Sequence, residues 1–254
     1  MTLPRTPSFR LDGHRALVTG GSSGIGLGCA VALAQQGARV TLAARSAEKL
    51  REAVTAIRAE GLDAEALPLD VGDVEATRGA VAAYGPFDVL VNSAGTARHS
   101  PAKDTTPEDF DAAADLNVRG AYFLTQAVAN GLIAAGRPGS LINVSSQMGH
   151  VGGVDRAVYC ATKHAVEGFT KAMAIEWGRH GVRVNTICPT FIRTPLTEPT
   201  FADPERRRWL EEKIKLGRVG RVEDIMGAVA FLASDAAALV TGTALMVDGG
   251  WTAD

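Results

Sequence analysis

The sequence predicts an α/β fold in which a doubly wound parallel sheet carries helices on both faces. The first observation behind this prediction is an alternation of short apolar runs with helix-like patterns along almost the whole chain. Such alternation is typical of strand–helix–strand crossovers in a parallel sheet. The second is the lack of a linker, a repeat or a low-complexity segment across the 254 residues. We therefore predict a single domain over residues 1–254, a length that one α/β domain often reaches.

Each predicted strand is a short, mostly apolar run that reads as buried. Pro68 lacks the amide proton that a central strand donates, so the third strand is expected at an edge of the sheet. The predicted strands cover residues 15–19, 39–43, 64–69, 88–91, 140–144, 183–187 and 243–247.

The predicted helices are marked by apolar residues on one face and by capping residues at their ends. Ser46 is a suitable N-cap and Gly61 a suitable stop for the second helix, and Thr106 followed by Pro107 opens the fourth. Residues 192–204 are polar and rich in proline, so we expect a mobile loop there, within a substrate loop of about 190–215. The predicted helices cover residues 24–36, 46–60, 74–84, 107–135 (with or without a bend), 159–178, 205–214 and 222–233.

The composition argues against several classes of protein. There are 26 Lys and Arg residues against 28 Asp and Glu, a net charge of −2, so a dedicated nucleic-acid binder is not expected. No apolar run has the length of a transmembrane helix, and residues 1–10 lack the apolar core of a signal peptide. The three cysteines are far apart and the five histidines show no metal-ligand spacing. We expect a soluble, cytoplasmic protein without a metal, nucleic-acid or membrane partner.

A glycine-rich turn connects the first predicted strand directly to the first helix. Its spacing is Gly-x3-Gly-x-Gly from Gly20. Glycines permit a tight turn and let backbone amides approach a pyrophosphate, which the helix N-terminus also attracts. The alternative is that these glycines form only a flexible strand–helix connection, without a role in binding. The candidate phosphate-binding residues are Gly20, Ser22, Ser23, Gly24, Ile25 and Gly26.

The end of the second predicted strand bears on the choice of nucleotide. NAD-binding folds commonly place a carboxylate there for the ribose 2′-hydroxyl, whereas an arginine suits a 2′-phosphate. This chain has Arg45 and Ser46 and no carboxylate at this point. The sequence therefore favours NADP over NAD, with the alternative that Arg45 is a surface residue and Ser46 only a helix cap.

Four polar residues stand at positions where chemistry is expected. Tyr159 and Lys163 are four apart in a predicted helix and share a face. Ser145 follows the fifth strand at its carboxyl end, where ligands bind in open α/β sheets, and Asn117 lies in the long helix before that strand. Taken singly, such residues are usually caps, surface pairs or solvated amides.

Together they resemble the short-chain dehydrogenase/reductase family. The resemblance covers essentially the whole chain, from Leu11 to Trp251. It implies a Rossmann-like sheet of seven parallel strands and a tetrad of Asn, Ser, Tyr and Lys. The other motifs that carry it are Thr19 to Gly26, Asp70-Val71, Asn92-Ser-Ala-Gly95 and Pro189.

The resemblance also implies a role for each member of the tetrad. Tyr159 would exchange a proton with the substrate oxygen, and Ser145 would hold that oxygen by a hydrogen bond. Lys163 would bind the nicotinamide ribose and, with the positive nicotinamide ring, lower the pKa of Tyr159. Asn117 would position a water that links Lys163 to bulk solvent.

Further cofactor contacts are implied by the same resemblance. Two positions depart from the family pattern: Ser93 stands where a second Asn is usual, and Thr190 where Gly is usual. Thr190 adds bulk and a hydroxyl near the expected substrate pocket. Asn92, Ala94 and Gly95 would line the adenosine ribose and support the central strand. The other implied contacts are Asp70 and Val71 at the adenine and Pro189, Ile192 and Thr194 on the nicotinamide side, besides Tyr159 and Lys163.

The substrate pocket is expected to combine Ser145 and Tyr159 with polar residues that would bind additional hydroxyls. Gln147, His150 and Thr190 are the candidates, because a buried polar group without a partner costs about 1–3 kcal/mol. They favour a sugar, a polyol or a hydroxyketone as substrate, unless they only face water or cap backbone. The wider set of expected lining residues is Arg98, His99, Met148, Val151, Arg156, Cys188 and Phe191.

The leading prediction is an NADP-dependent oxidoreductase that interconverts a secondary alcohol and a ketone. Two alternatives stay open: a non-catalytic dinucleotide-binding regulator on the same fold, and a dehalogenase-like or epimerising member of the family. The family usually pairs the long helix and the Tyr159 helix between subunits. Since both helices have alanine-rich apolar faces, we expect a homotetramer.

Overall fold

The computed structural model describes residues 1–253 and forms one parallel sheet. The strand order is β3-β2-β1-β4-β5-β6-β7, so the sheet is doubly wound with its order reversing between β1 and β4. This confirms the predicted fold class and the position of β3, the strand of Pro68, at an edge. The strands are β1 (Arg15–Thr19), β2 (Arg39–Ala44), β3 (Ala64–Pro68), β4 (Val89–Asn92), β5 (Gly139–Val144), β6 (Val182–Pro189) and β7 (Ala244–Val247).

Helices cover both faces of the sheet, and each face has its own apolar core. Successive strand residues point to opposite faces: Val18 packs in the core beneath α1, α2 and α9, and Leu17 in the core beneath α3, α5 and α6. The helices are α1 (Gly24–Gln35), α2 (Ala47–Ala59), α3 (Val74–Tyr84), α4 (Pro107–Ala114), α5 (Ala121–Ala134), α6 (Ala157–Trp177), α7 (Glu198–Phe201), α8 (Pro204–Lys213) and α9 (Glu223–Ala233).

The long helix predicted over 107–135 is divided by a π-helical segment. That segment runs over Asp115–Gly120 and joins α4 to α5 without an intervening loop. Gly120 packs closely against the segment that follows β3. A Cβ at this position would come within 2.7 Å of the Val71 carbonyl oxygen. The wider π turn contains Asn117, which is 2% exposed. π-helical turns inside α-helices often occur at functional sites.

The segment predicted as a mobile loop over 192–204 contains an additional short helix, α7. Thr197 organises the approach to it, since its hydroxyl donates to the Ile192 carbonyl at 2.6 Å and accepts from the Thr194 amide at 2.9 Å. The predicted loop thus contains one short helix between irregular stretches, and its mobility stays a prediction. Polarity and proline content indicated a loop, but side-chain hydrogen bonds to backbone order it locally.

A row of polar side chains crosses the middle of the sheet. Thr19, Asn92 and Asn143 are adjacent in register on β1, β4 and β5. The Asn92 Oδ1 accepts from Thr19 Oγ1 at 3.2 Å, and its Nδ2 donates to Asn143 Oδ1 at 3.3 Å and to the Ala121 carbonyl at 3.1 Å. These bonds fix the carboxyl ends of the central strands, where the strand order reverses and ligands bind in folds of this type.

Candidate functional site

A cleft of about 530 Å³ opens at the carboxyl ends of the central strands. It brings together segments that are far apart in the chain, from the glycine turn after β1 to the segment after β6. Most of the site residues predicted from the sequence line it. These are Gly20, Ser22, Ser23, Gly24, Ile25, Gly26, Arg45, Ser46, Asp70, Val71, Ala94, Gly95, Ser145, Tyr159, Lys163, Pro189, Thr190, Ile192 and Thr194.

Four of the main predicted site residues lie outside the lining of this cleft, as do the seven of the wider set, which are Arg98, His99, Met148, Val151, Arg156, Cys188 and Phe191. Asn92 is buried in the polar row of the sheet, and Asn117 lies behind the segment after β4. Gln147 is 1% exposed, and neither polar atom of its amide has a partner among the described residues. His150 faces Glu167 from the short turn after β5.

The glycine turn has the geometry of a phosphate cradle. Gly20 and Gly24 adopt positive φ values of 66° and 54°. A Cβ at Gly26 would come within 2.2 Å of the Gly20 carbonyl oxygen, so only glycine permits this close crossing. Helix α1 begins at Gly24 without a side-chain cap and without an acidic residue in its first turn. Its free amides and positive end therefore face the cleft, as an anionic pyrophosphate requires.

Two cations flank the far end of the cleft, where only one was predicted. Arg45 and Ser46 are both exposed and line the cleft, and Lys49 joins them from the first turn of α2. The Ser46 hydroxyl also caps α2 by accepting from the Lys49 amide at 3.3 Å. Lys49 was missed by the sequence analysis, although its spacing of four from Arg45 is a usable signal. The two cations and the absence of a carboxylate in this corner suit a phosphate group.

Lys163 and Tyr159 meet Ser145 in the centre of the cleft. The Lys163 Nζ donates to the Val144 carbonyl at 2.8 Å and lies 5.6 Å from the centroid of the Tyr159 ring. Ser145 is 3% exposed, and its Oγ is a buried atom without a partner among the described residues. A buried hydroxyl that lacks a partner is suited to bind a ligand oxygen.

Burial shifts the pKa values of both Lys163 and Tyr159. Burial lowers the pKa of Lys163 to about 8. Burial also raises the pKa of Tyr159, and the nearby Ser146 hydroxyl and the Arg156 charge only partly oppose this effect. The cost of desolvating the phenolate exceeds the attraction of these neighbours. The predicted lowering of the Tyr159 pKa involves the positive nicotinamide ring as well as Lys163, so for the site with bound nucleotide it stays a prediction.

Asn117 connects the π segment to two other parts of the site. Its Oδ1 accepts from the Thr96 amide at 2.8 Å, while its Nδ2 donates to the Thr96 carbonyl at 2.9 Å and to Thr162 Oγ1 at 3.2 Å. Thr162 in turn donates to the Tyr159 carbonyl at 2.8 Å. Asn117 thus joins the loop after β4 to the first turns of α6.

A second polar cluster lies beside Ser145 and was not predicted. The Cys188 thiol donates to Glu167 Oε1 at 3.2 Å and lies 3.5 Å from His150 Nε2, and Thr186 Oγ1 donates to Glu167 Oε2 at 2.9 Å. The ligand-type atoms of His150, Glu167 and Cys188 lie within 4.8 Å of one another. Burial and Glu167 raise the pKa of Cys188 to about 12, so this cysteine is a thiol. Glu167 is four residues after Lys163 on α6, and that spacing was the available signal.

Comparison with known proteins identifies the family to which this arrangement belongs. A family model described as enoyl-(acyl carrier protein) reductase matches residues 20–252. The chain belongs to the short-chain dehydrogenase/reductase family. The resemblance inferred from the glycine turn, Asn117, Ser145, Tyr159 and Lys163 is therefore confirmed.

Other short-chain dehydrogenases/reductases match this chain over nearly its full length. Gluconate 5-dehydrogenase of Gluconobacter oxydans is 44% identical over 248 residues, which cover 96% of each chain. D-erythrulose reductase of Gallus gallus is 42% identical over 96% of this chain and 98% of its own. The crystal structure of a gluconate 5-dehydrogenase from Burkholderia cenocepacia in complex with NADP and tartrate has a TM-score of 0.93 at 38% identity, over 97% of this chain and 98% of that one.

Within residues 1–253, no helix combines the length and the apolar character needed to cross a bilayer.

Proposed function

We propose that this short-chain dehydrogenase/reductase transfers a hydride between NADP(H) and a secondary alcohol or ketone, with a sugar, a polyol or a hydroxyketone as substrate. The observation that carries the proposal is the convergence of Ser145, Tyr159 and Lys163 on the same cleft as the glycine turn. A cofactor held by the turn would therefore extend towards the three side chains. The full-length similarity to enzymes named for gluconate, erythrulose and xylulose supports the same class of substrate.

The cleft fits a dinucleotide with a 2′-phosphate. The cradle between Gly20 and Gly26 would hold the pyrophosphate, and Arg45 and Lys49 would bind the 2′-phosphate. Asp70 and Val71 would flank the adenine, and Ile192 and Thr194 the nicotinamide side. When bound, NADP supplies the hydride chemistry. NADP in the related Burkholderia structure supports this assignment over NAD.

In this mechanism each polar group at the cleft has a separate task. The unpartnered Ser145 hydroxyl would hydrogen-bond the substrate oxygen and keep it in place. Tyr159 would give a proton to that oxygen in reduction and accept one in oxidation. The Lys163 ammonium, close to the Tyr159 ring, would bind ribose hydroxyls and support the phenolate. Gln147 and His150 would contact the rest of the substrate after a small rearrangement of the turn that carries them.

Asn117 is proposed to act through other residues. Its Oδ1 and Nδ2 both bind the Thr96 backbone, so Asn117 would hold the loop after β4 against α6. It would also position the water that links Lys163 to bulk solvent. We further propose a cytoplasmic homotetramer. The side chains of Phe110 on α4 and Ile175 on α6 are 49% and 83% exposed, which supports an apolar contact surface on the helices that the family pairs.

Nucleotide absorbance tests the proposal. The purified protein is incubated with NADP(H) or NAD(H) and a panel of polyols, ketoses, aliphatic secondary alcohols and steroids, beside Tyr159→Phe. We expect turnover of polyols or ketoses with NADP(H), and loss of turnover with retained nucleotide binding in Tyr159→Phe. Nucleotide binding without turnover on any substrate of the panel would favour the non-catalytic regulator. Reaction without exchange of the nucleotide hydride would favour a dehalogenase-like or epimerising enzyme.

A further inference from the structure

Two arginines on separate chain segments bring positive charge to the neighbourhood of Tyr159, with His99 beside them. Arg156 directly precedes α6, Arg206 lies on α8, and His99 follows β4. The His99 ring meets the Tyr159 ring edge-on, with 5.8 Å between centroids. Arg156 and Arg206 both act electrostatically on His99 and on each other. Burial and the charges of these two arginines lower the pKa of His99 to about 4, so this histidine is neutral near pH 7. We call Arg156 and Arg206 the cationic cluster.

Arg156 is the unusual member of the cationic cluster because its side chain is largely buried while its guanidinium has no counterion in the described part of the protein. The residue is 8% exposed, and within residues 1–253 its guanidinium has neither a hydrogen-bond acceptor nor an ion pair. Asp155 attracts it at longer range but forms no ion pair with it. Burial and the charge of Arg206 lower the pKa of Arg156. A guanidinium that has no acceptor among the described residues and that lies beside Tyr159 can bind an anion from outside the chain by paired, charge-assisted hydrogen bonds.

The start of α6 adds to the same field. Arg156 is the N-cap position, and no side chain caps this end of the helix. The first turn holds no acidic residue, and Tyr159 belongs to that turn. The positive end of a 21-residue helix and an unpaired guanidinium therefore lie together, about 4.5 Å along the axis from Tyr159. A substrate of several carbons can span from the reacting oxygen to this point.

We propose that Arg156, supported by Arg206 and the open end of α6, binds the carboxylate of the substrate, so that the enzyme selects sugar acids over neutral sugars and polyols. This inference rests on the proposed function and narrows its substrate class. The planar guanidinium suits a carboxylate because the two groups can form paired hydrogen bonds. Similarity to the relatives does not decide between acidic and neutral substrates. Their names include an acid, gluconate, and two neutral ketoses, erythrulose and xylulose, at similar sequence identity.

The test compares two substrates that differ only at one end. D-Gluconate and D-glucitol have the same carbon chain, and only gluconate has a carboxylate. We expect kcat/KM with NADP to be at least about tenfold higher for gluconate in the unmutated enzyme. Arg156→Gln should lower the ratio of the gluconate value to the glucitol value by about 10- to 100-fold. The effect of the Arg156 charge on Tyr159 is common to both substrates and cancels in this ratio. Arg208→Gln, at an exposed arginine of α8, is the matched control and should change neither value.

Binding without turnover gives a second readout. Gluconate is titrated by calorimetry into the NADP-loaded Tyr159→Phe variant, with and without Arg156→Gln. The proposal expects the affinity to fall by a similar factor in the double variant. The proposal is overturned if the unmutated enzyme has equal kcat/KM values for glucitol and gluconate. It is also overturned if Arg156→Gln lowers kcat/KM for both substrates by the same factor. Turnover of neutral ketoses without gluconate binding would remove the carboxylate subsite and keep the proposed function. Silence with every polyol and ketose would remove the proposed function itself.

Discussion

The amide of Asn117 holds the backbone of Thr96 at both of its polar groups. Oδ1 accepts from the Thr96 amide at 2.8 Å, and Nδ2 donates to the Thr96 carbonyl at 2.9 Å. The π turn places Asn117 where it can reach this segment, which has no regular secondary structure of its own. The wall of the cleft after β4 is thus fixed by a side chain on a helix rather than by a strand.

This relationship predicts a specific loss of stability. Asn117→Ala leaves the Thr96 amide and carbonyl without their partner, so we expect the free energy of unfolding to fall by about 2 kcal/mol. Asn130 is exposed on α5, and Asn130→Ala should change it by no more than about 0.5 kcal/mol. Urea denaturation of the three proteins measures both values. Equal effects of the two substitutions would mean that the Thr96 bonds contribute nothing.

The buried Lys163 predicts an unusual dependence of stability on pH. Burial lowers its pKa from 10.5 to about 8, so the folded protein releases this proton at a lower pH than the unfolded chain. Between these values the unfolded state binds more protons, and the free energy of unfolding therefore rises with pH. From pH 7 to pH 9.5 the Lys163 contribution should rise by about 2 kcal/mol.

A comparison with Lys163→Met isolates this contribution. The methionine variant lacks the titrating group, so its stability relative to the unmutated protein should decrease between pH 7 and pH 9.5. Lys171→Met, at an exposed lysine of the same helix, should preserve the pH dependence of the unmutated protein. Denaturation curves at the two pH values provide the data. Parallel pH profiles of the Lys163→Met variant and the unmutated protein would show that the ammonium is not destabilised by burial.

The cations beside Ser46 predict the nucleotide preference. Arg45→Ala should raise the KM for NADPH about tenfold and leave the KM for NADH nearly unchanged, because only NADPH has the 2′-phosphate that Arg45 would bind. Lys49→Ala should act in the same direction. Arg51 is exposed on α2 and does not line the cleft, so Arg51→Ala serves as the control. An Arg45 variant that weakens NADPH and NADH alike would contradict a role in binding the 2′-phosphate.

The succession of strands and helices along the chain and the glycine turn could be predicted because they depend on local patterns. An apolar run, a capping residue or a glycine spacing indicates a strand, a helix end or a turn from nearby residues alone, without knowledge of the tertiary structure. Asn92 shows what such a motif leaves open. The family resemblance gave this residue two tasks, at the adenosine ribose and in support of the central strand. Its amide is used in the polar row between β1, β4 and β5, in agreement with the second task.

Interactions between distant segments could not be predicted in the same way. The contact of His150 with Glu167 and Cys188 depends on how the turn after β5 packs on α6 and β6. The raised pKa of Tyr159 depends on the summed burial of the site, which no pair of residues four apart reveals. The lack of a counterion for Arg156 within residues 1–253 depends on which side chains surround it in the folded protein, and the sequence does not reveal them.

The close crossing at Gly26 predicts the most severe single substitution in the glycine turn. Gly26→Ala would place a methyl group 2.2 Å from the Gly20 carbonyl oxygen, a backbone atom that cannot move without opening the cradle. We expect nucleotide binding to weaken by at least about 100-fold, measured by calorimetry with NADP. Gly79→Ala is the matched control, because nothing lies within 4 Å of its Cβ position in α3. That substitution should leave nucleotide binding unchanged and stabilise the protein by about 0.5–1 kcal/mol, since alanine is the better helix former. Equal nucleotide affinity in the two variants would mean that the turn does not bind the pyrophosphate.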